Sequence, residues 1–84
     1  MTAKVSKYRL IRERDKELIE ALQVRWIEWN EDDTFKSKHE DIAIGRSLLM
    51  FTWQTTVVTE IIEQRADYIK FKTENSTYEL FKLK

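Results

Sequence analysis

Apolar residues change their spacing once along this chain, near Gly45. Before it, in RDKELIEALQVRWIEWNEDD, the residues Leu18, Ile19, Leu22, Trp26 and Trp29 recur at intervals of three and four. That spacing lays side chains on one face of a helix. It predicts a helix over residues 15–30, with Asp15 accepting from the free amides of the first turn and Glu17 suited to the positive end of the helix dipole. Glu, Leu, Ala, Gln and Lys are good helix formers, and no breaker intervenes. The second half of the stretch also admits a strand. Val24, Trp26 and Glu28 alternate with Arg25, Ile27 and Trp29, and WNEDDTF has the composition of a tight turn. Upstream, KYRLIRER fits a helical extension or an edge strand. Downstream, NEDDTFKSKHEDIA is polar and aperiodic, which predicts a loop.

After Gly45 the character is that of a sheet. RSLLMFTW and QTTVVTEIIE are rich in Thr, Val, Ile and aromatics, and Tyr68–Thr73 and Thr77–Leu83 add two alternating segments. With Asn75-Ser76 as the turn pair, Phe71 falls opposite Leu80, Thr73 opposite Tyr78, and Lys72 opposite Glu79, so apolar meets apolar and opposite charges meet. With Gln64-Arg65-Ala66 as the preceding loop, Ile61 falls opposite Ile69, Thr59 opposite Phe71, and Glu60 opposite Lys70. Val57, Ile61, Ile69, Phe71, Tyr78 and Leu80 then share the face that a helix would cover. Val58, Ile62 and Phe81 fall on the other face, which requires the sheet to curl on itself or to meet a partner.

The fold class expected from these patterns is α+β. An N-terminal helix packs on a curled antiparallel sheet of three to five strands that ends in a C-terminal β meander, with closure into a small barrel as a further option. At 84 residues the chain is one domain. It divides into a basic arm (1–14), the helix (15–30), an acidic loop (31–44) and antiparallel strands (45–84). Three tryptophans, three tyrosines and four phenylalanines give so short a chain the material for a core.

The formal net charge is zero, but residues 1–16 carry six Lys and Arg against two acids. Residues 17–41 carry eight acids against only Arg25, Lys36 and Lys38, so arm and middle attract each other. There is no cysteine, hence no disulfide framework, and a reducing cytoplasm is the compartment expected. No apolar run is long enough to span a membrane, and MTAKVSKYRLIRERDKE lacks the apolar core of a signal peptide. Asn75-Ser76-Thr77 matches a glycosylation sequon, but such triplets occur often by chance, and Asn-Ser reads as a turn pair.

Candidate chemistry is sparse. His39 is the only histidine, and nothing in the sequence ties it to a hydroxyl or to a second metal ligand. Glu31, Asp32, Asp33, Glu40 and Asp41 lack the glycine and spacing of a calcium loop. One glycine makes no phosphate loop, and Gly45-Arg46-Ser47 is half a nucleophile elbow. The expectation is therefore no catalytic, cofactor or metal site, and no enzyme.

Tyr68, Lys70, Lys72, Phe81, Lys82 and Lys84 offer a limited version of a small-barrel nucleic-acid surface, diluted by Glu60, Glu63, Glu74 and Glu79 on or beside the same strands. That stands as the alternative function. The primary expectation is a non-catalytic module that presents a sheet or aromatic surface to a protein partner or to a second copy of itself, through Trp29, Val58, Ile62 and Phe81. Trp26 and Trp53 are expected in the core.

Overall fold

A computed structural model describes residues 7–50 and 53–83. Among these residues there is no helix. Eight strands follow one another: β1 (Tyr8–Arg12), β2 (Glu17–Ala21), β3 (Arg25–Trp29), β4 (Phe35–His39), β5 (Arg46–Met50), β6 (Trp53–Arg65), β7 (Tyr68–Thr73) and β8 (Thr77–Lys82). All pair antiparallel in one sheet, in the order β2-β1-β8-β7-β6-β5-β3-β4, which curls into a half-barrel. The fold is therefore not α+β, and the expected helix over 15–30 is two strands. Residues 1–6 of the basic arm, Phe51, Thr52 and Lys84 lie outside the described residues.

Local chemistry explains why the helix does not form. Asp15 sits in the four-residue turn between β1 and β2, where its Oδ1 accepts the Glu17 N–H at 3.1 Å. Its Oδ1 and Oδ2 also take the Arg12 guanidinium, at 3.0 and 2.7 Å. The capacity to accept from a nearby amide is the one expected of a helix cap, but here it closes a turn. Lys16 completes that turn in the left-handed region, at φ 57°. The spacing of Leu18, Leu22, Trp26 and Trp29 spans two strands and the bend between them, and Leu18 and Leu22 are exposed rather than sharing a buried face. The expected acidic loop also contains a strand. WNEDDTF forms the β3–β4 turn, with Asn30 donating to the Thr34 carbonyl at 2.8 Å and Asp33 left-handed at φ 66°.

The long strand β6 joins the two halves. Its first residues, Trp53 to Val57, pair with β5, and from Val58 onward it pairs with β7. At about 3.3 Å per residue its 13 residues span roughly 43 Å, close to the molecule's long axis of 46 Å. Bulges near Thr59 and Ile62 bend it, and the sheet curls so that one half covers the other. The link from β2 to β3 shows how far the curl goes. These strands are far apart in the sheet order, yet only residues 22–24 connect them, a span of at most roughly 14 Å between flanking Cα atoms.

The concave side is the core. Leu10, Ala21, Val24, Trp26, Ile42, Leu48, Met50, Val58, Phe71, Tyr78 and Leu80 are buried there. Trp26 of β3 meets Phe71 of β7 edge-on at 5.4 Å, and Phe71 stacks on Tyr78 of β8 at 5.5 Å. The Trp26–Phe71 contact joins the two halves of the sheet across the interior, the role the helix was expected to fill.

The C-terminal meander forms with shifted registers. Phe71 pairs with Tyr78, Ile69 with Leu80, and Lys70 with Glu79, so the turn pair is Glu74-Asn75 rather than Asn75-Ser76. Buried Thr73 sets this. Its N–H donates to the Ser76 carbonyl at 2.8 Å, and its Oγ1 accepts from the Asn75 and Ser76 amides at 3.4 and 3.3 Å. At the preceding hairpin, Ile61 pairs with Phe71 and Glu60 with Lys72, and the loop is Ala66-Asp67. The shift between β7 and β8 is by two in pairing, so Phe71, Tyr78 and Leu80 keep the inward face expected of them.

Candidate interaction surface

The four residues expected to form a partner surface are not brought together. Trp29 lies on β3, half-buried, its Nε1–H donating to Ser47 Oγ at 2.9 Å. Phe81 lies on β8, half-buried against Tyr68 at 5.1 Å, with β7, β6 and β5 between it and β3 in the sheet order. Ile62, at the second bulge of β6, is 46 % exposed. Val58 is 1 % exposed and belongs to the core. The bulge at Thr59 explains it: one extra residue reverses the in-out alternation, so Val58 and Ile61 both turn inward although three apart in sequence.

The convex face around Phe81 is charge-balanced. Tyr68 donates to Glu79 Oε2 at 2.5 Å, which pushes the phenol up to about 12, and the Arg65 guanidinium lies 4.6 Å over the Tyr68 ring. Arg9 pairs with Glu20 at 3.0 Å and Arg65 with Glu63 at 2.7 Å. Lys70 and Lys72 stand opposite Glu79 and Thr77 on one side, and opposite Glu63 and Glu60 on the other. The Tyr68–Phe81 pair, its rings tilted at 56°, is thus set among alternating charges, not in the basic surround that a phosphate backbone selects.

One cluster escaped the sequence reading. Glu28 of β3 meets Ser37 and His39 of β4, with His39 Nε2 2.7 Å from Glu28 Oε1 and 2.8 Å from Ser37 Oγ. The residue types are those of a hydrolase triad. A triad, however, uses one ring nitrogen for the hydroxyl and the other for the carboxylate, whereas here Nε2 meets both. Lys36 adds a contact to Glu28 at 3.3 Å, and the Glu28 carboxyl is held below its ordinary range by its bonds to His39 and Lys36. The arrangement ties β3 to β4. Its signal in the sequence was the i, i+2 spacing of Ser37 and His39, which matters only once 35–39 is a strand. Among the described residues no group of three or more His, Cys, Asp or Glu could hold a metal ion.

The feature that does stand out is the pair of open sheet edges. Among the described residues nothing pairs with the outer side of β2 or of β4. Each edge carries an exposed apolar residue, Leu18 on β2 and Phe35 on β4, both 52 % exposed, and Leu22 follows β2 just as openly. Their exposed charges are opposite, Glu17 and Glu20 on β2 and Lys36 and Lys38 on β4; Glu20 is paired with Arg9 and Lys36 with Glu28, while Glu17 and Lys38 make no ion pair among the described residues. Comparison with known proteins finds no family model, no curated protein and no solved structure that matches this chain. Among the described residues no helix is long and apolar enough to cross a membrane.

Proposed function

We propose that this protein is a small non-catalytic interaction module that works by strand addition, the acidic edge β2 of one copy taking the basic edge β4 of a second. The observation that carries this is the opposite charge of two open edges, each with an exposed apolar residue at 52 %. An unpaired edge is a template for another strand, and charges on it decide which strand is accepted. Two β2 edges would set Glu17 and Glu20 against their own kind, and two β4 edges would oppose lysines. In the antiparallel register that sets Leu18 opposite Phe35, Glu17 falls opposite Lys36, so the unlike pairing gains an ion pair and an apolar contact together. A cysteine-free chain suits a reducing cytoplasm.

Unlike-edge pairing is head-to-tail, so it closes into a ring or extends as a chain of copies. Sedimentation across a wide concentration range tests it. Wild type forms species larger than a dimer, Leu18→Lys and Lys36→Glu/Lys38→Glu are each monomeric, and mixing the two variants does not restore the larger species. A monomer at millimolar concentration for the wild type would overturn the proposal.

A further inference from the structure

At the end of the half-barrel where β1 finishes, a cleft of about 320 Å³ is lined by Arg12, Arg14, Trp53, Thr56 and Ser76 among others. Among the described residues, three buried side-chain polar atoms have no hydrogen-bond partner: Trp53 Nε1, Thr56 Oγ1 and Ser76 Oγ. All three belong to residues of this one cleft. Ser76 is only 9 % exposed. Buried polar groups are almost always paired, so three orphans in a single place mark a site that something else completes.

The donors define what that is. An indole N–H and a guanidinium donate and cannot accept, and the two hydroxyls can donate as well, so the missing group must bring acceptors. The donors arrive from three separate elements: Arg14 from the β1–β2 turn, Trp53 and Thr56 from the start of β6, and Ser76 from the β7–β8 turn. A planar carboxylate offers two oxygens in one plane, whereas a phosphate offers oxygens around a tetrahedral centre to donors from several directions. The charge agrees. Arg12 is clamped by Asp15 at 2.7 and 3.0 Å and lies 5.2 Å over the Trp53 ring, which fixes the floor of the cleft. Arg14 makes no ion pair among the described residues and supplies the uncompensated positive charge.

We propose that this cleft binds a phosphate group, with Arg14, Trp53 Nε1–H, Thr56 and Ser76 as its donors. The volume is at the small end of the roughly 300–1,000 Å³ of ligand pockets. It leaves room beside the phosphate for a small organic group, which the amides of Gln54 and Asn75 on the same lining can meet. The site goes beyond the edge pairing proposed above and shares no residue with it.

The three tryptophans supply a direct test, because each indole N–H gives its own resonance and that of Trp29 is already committed to Ser47. Inorganic phosphate is titrated into ¹⁵N-labelled protein at constant ionic strength, with sodium chloride as the balancing salt. The Trp53 indole signal shifts saturably while that of Trp29 stays in place. Arg14→Gln, at an exposed turn position, weakens the apparent Kd by about tenfold, and Ser76→Ala weakens it as well. Glycerol phosphate and phosphoserine distinguish the source. Tighter binding than inorganic phosphate shows that the organic group is held too, and equal binding shows that the phosphate alone is recognised. Equal movement of all three indoles, an unchanged Kd in Arg14→Gln, or equally saturable binding of acetate would overturn the proposal.

Discussion

Asp15 shows at the scale of one residue how the chain uses its polar side chains. Its carboxylate accepts from the Arg12 guanidinium and from the Glu17 amide, and these bonds hold its pKa at about 2 against an ordinary 3.8. A carboxyl with a depressed folded-state pKa contributes stability that is present above its unfolded value and lost as pH falls through the folded one. The contribution of Asp15 is therefore complete above about pH 4 and lost between about pH 4 and pH 2. A carboxyl-detected titration checks this: Arg12→Ala brings the Asp15 midpoint back towards 3.8. At the centre of the core, Phe71→Ala removes the ring that touches both Trp26 and Tyr78 and destabilises the fold by about 3–5 kcal/mol in denaturant melts. Residue identities of this kind were legible in the sequence. The inward positions Phe71, Tyr78 and Leu80 and the core role of Trp26 follow from alternation and size. Val58 did not follow, because a single-residue bulge reverses the alternation and leaves no mark in composition.

Among the elements, the strands after Gly45 were legible; before it, β1 and β3 were legible only as alternatives to a helix, and β2 and β4 were not read as strands. β7 matches its expected range, since six alternating residues with Tyr68, Lys70 and Lys72 on the outer face and Ile69, Phe71 and Thr73 inside give a clear period of two. β2 and β3 have five residues each, too few to establish a period, and the bend at residues 22–24 shifts the phase between them to mimic a helical spacing. β4 shows no apolar alternation at all, because its inner face meets Glu28 through Ser37 and His39 rather than a hydrophobic neighbour. The β7–β8 register turned on Thr73, whose buried hydroxyl fixes the turn amides more strongly than the pairing of outer charges chooses between neighbouring registers. Thr73→Val keeps the shape and removes that acceptor. It costs about 1–3 kcal/mol in thermal or denaturant unfolding and speeds exchange of the Asn75 and Ser76 amides. Cross-strand Overhauser contacts in the wild type place Phe71 against Tyr78 and Lys70 against Glu79.

For the whole molecule, the curl of the sheet accounts for the apolar surface that seemed to need a partner. Two halves of one sheet face each other, so Val58 is covered from within, whereas Ile62 on β6 and Ile44 before β5 stay exposed beside Leu18, Leu22 and Phe35 at the edges. The same geometry bears on the nucleic-acid alternative. The convex aromatics lie among alternating charges, and the phosphate cleft offers one uncompensated arginine, which suits a single phosphate and not a strand of them. A fluorescence titration with single-stranded DNA or RNA at physiological salt is expected to show no binding tighter than about micromolar. The candidate edges were hidden from the sequence for the same reason as β2 and β4 themselves: an edge exists only once the strand order is known.

The measurement that most directly tests edge pairing is an isotope-filtered nuclear magnetic resonance experiment. It uses an equal mixture of ¹⁵N-labelled chains and unlabelled-nitrogen, ¹³C-labelled chains. Intermolecular contacts between the amides of Glu17–Ala21 in one copy and the side chains of Phe35–His39 in the other are the predicted result. Contacts confined to a like pair, β2 on β2 or β4 on β4, or to the convex face around Phe81, would contradict it.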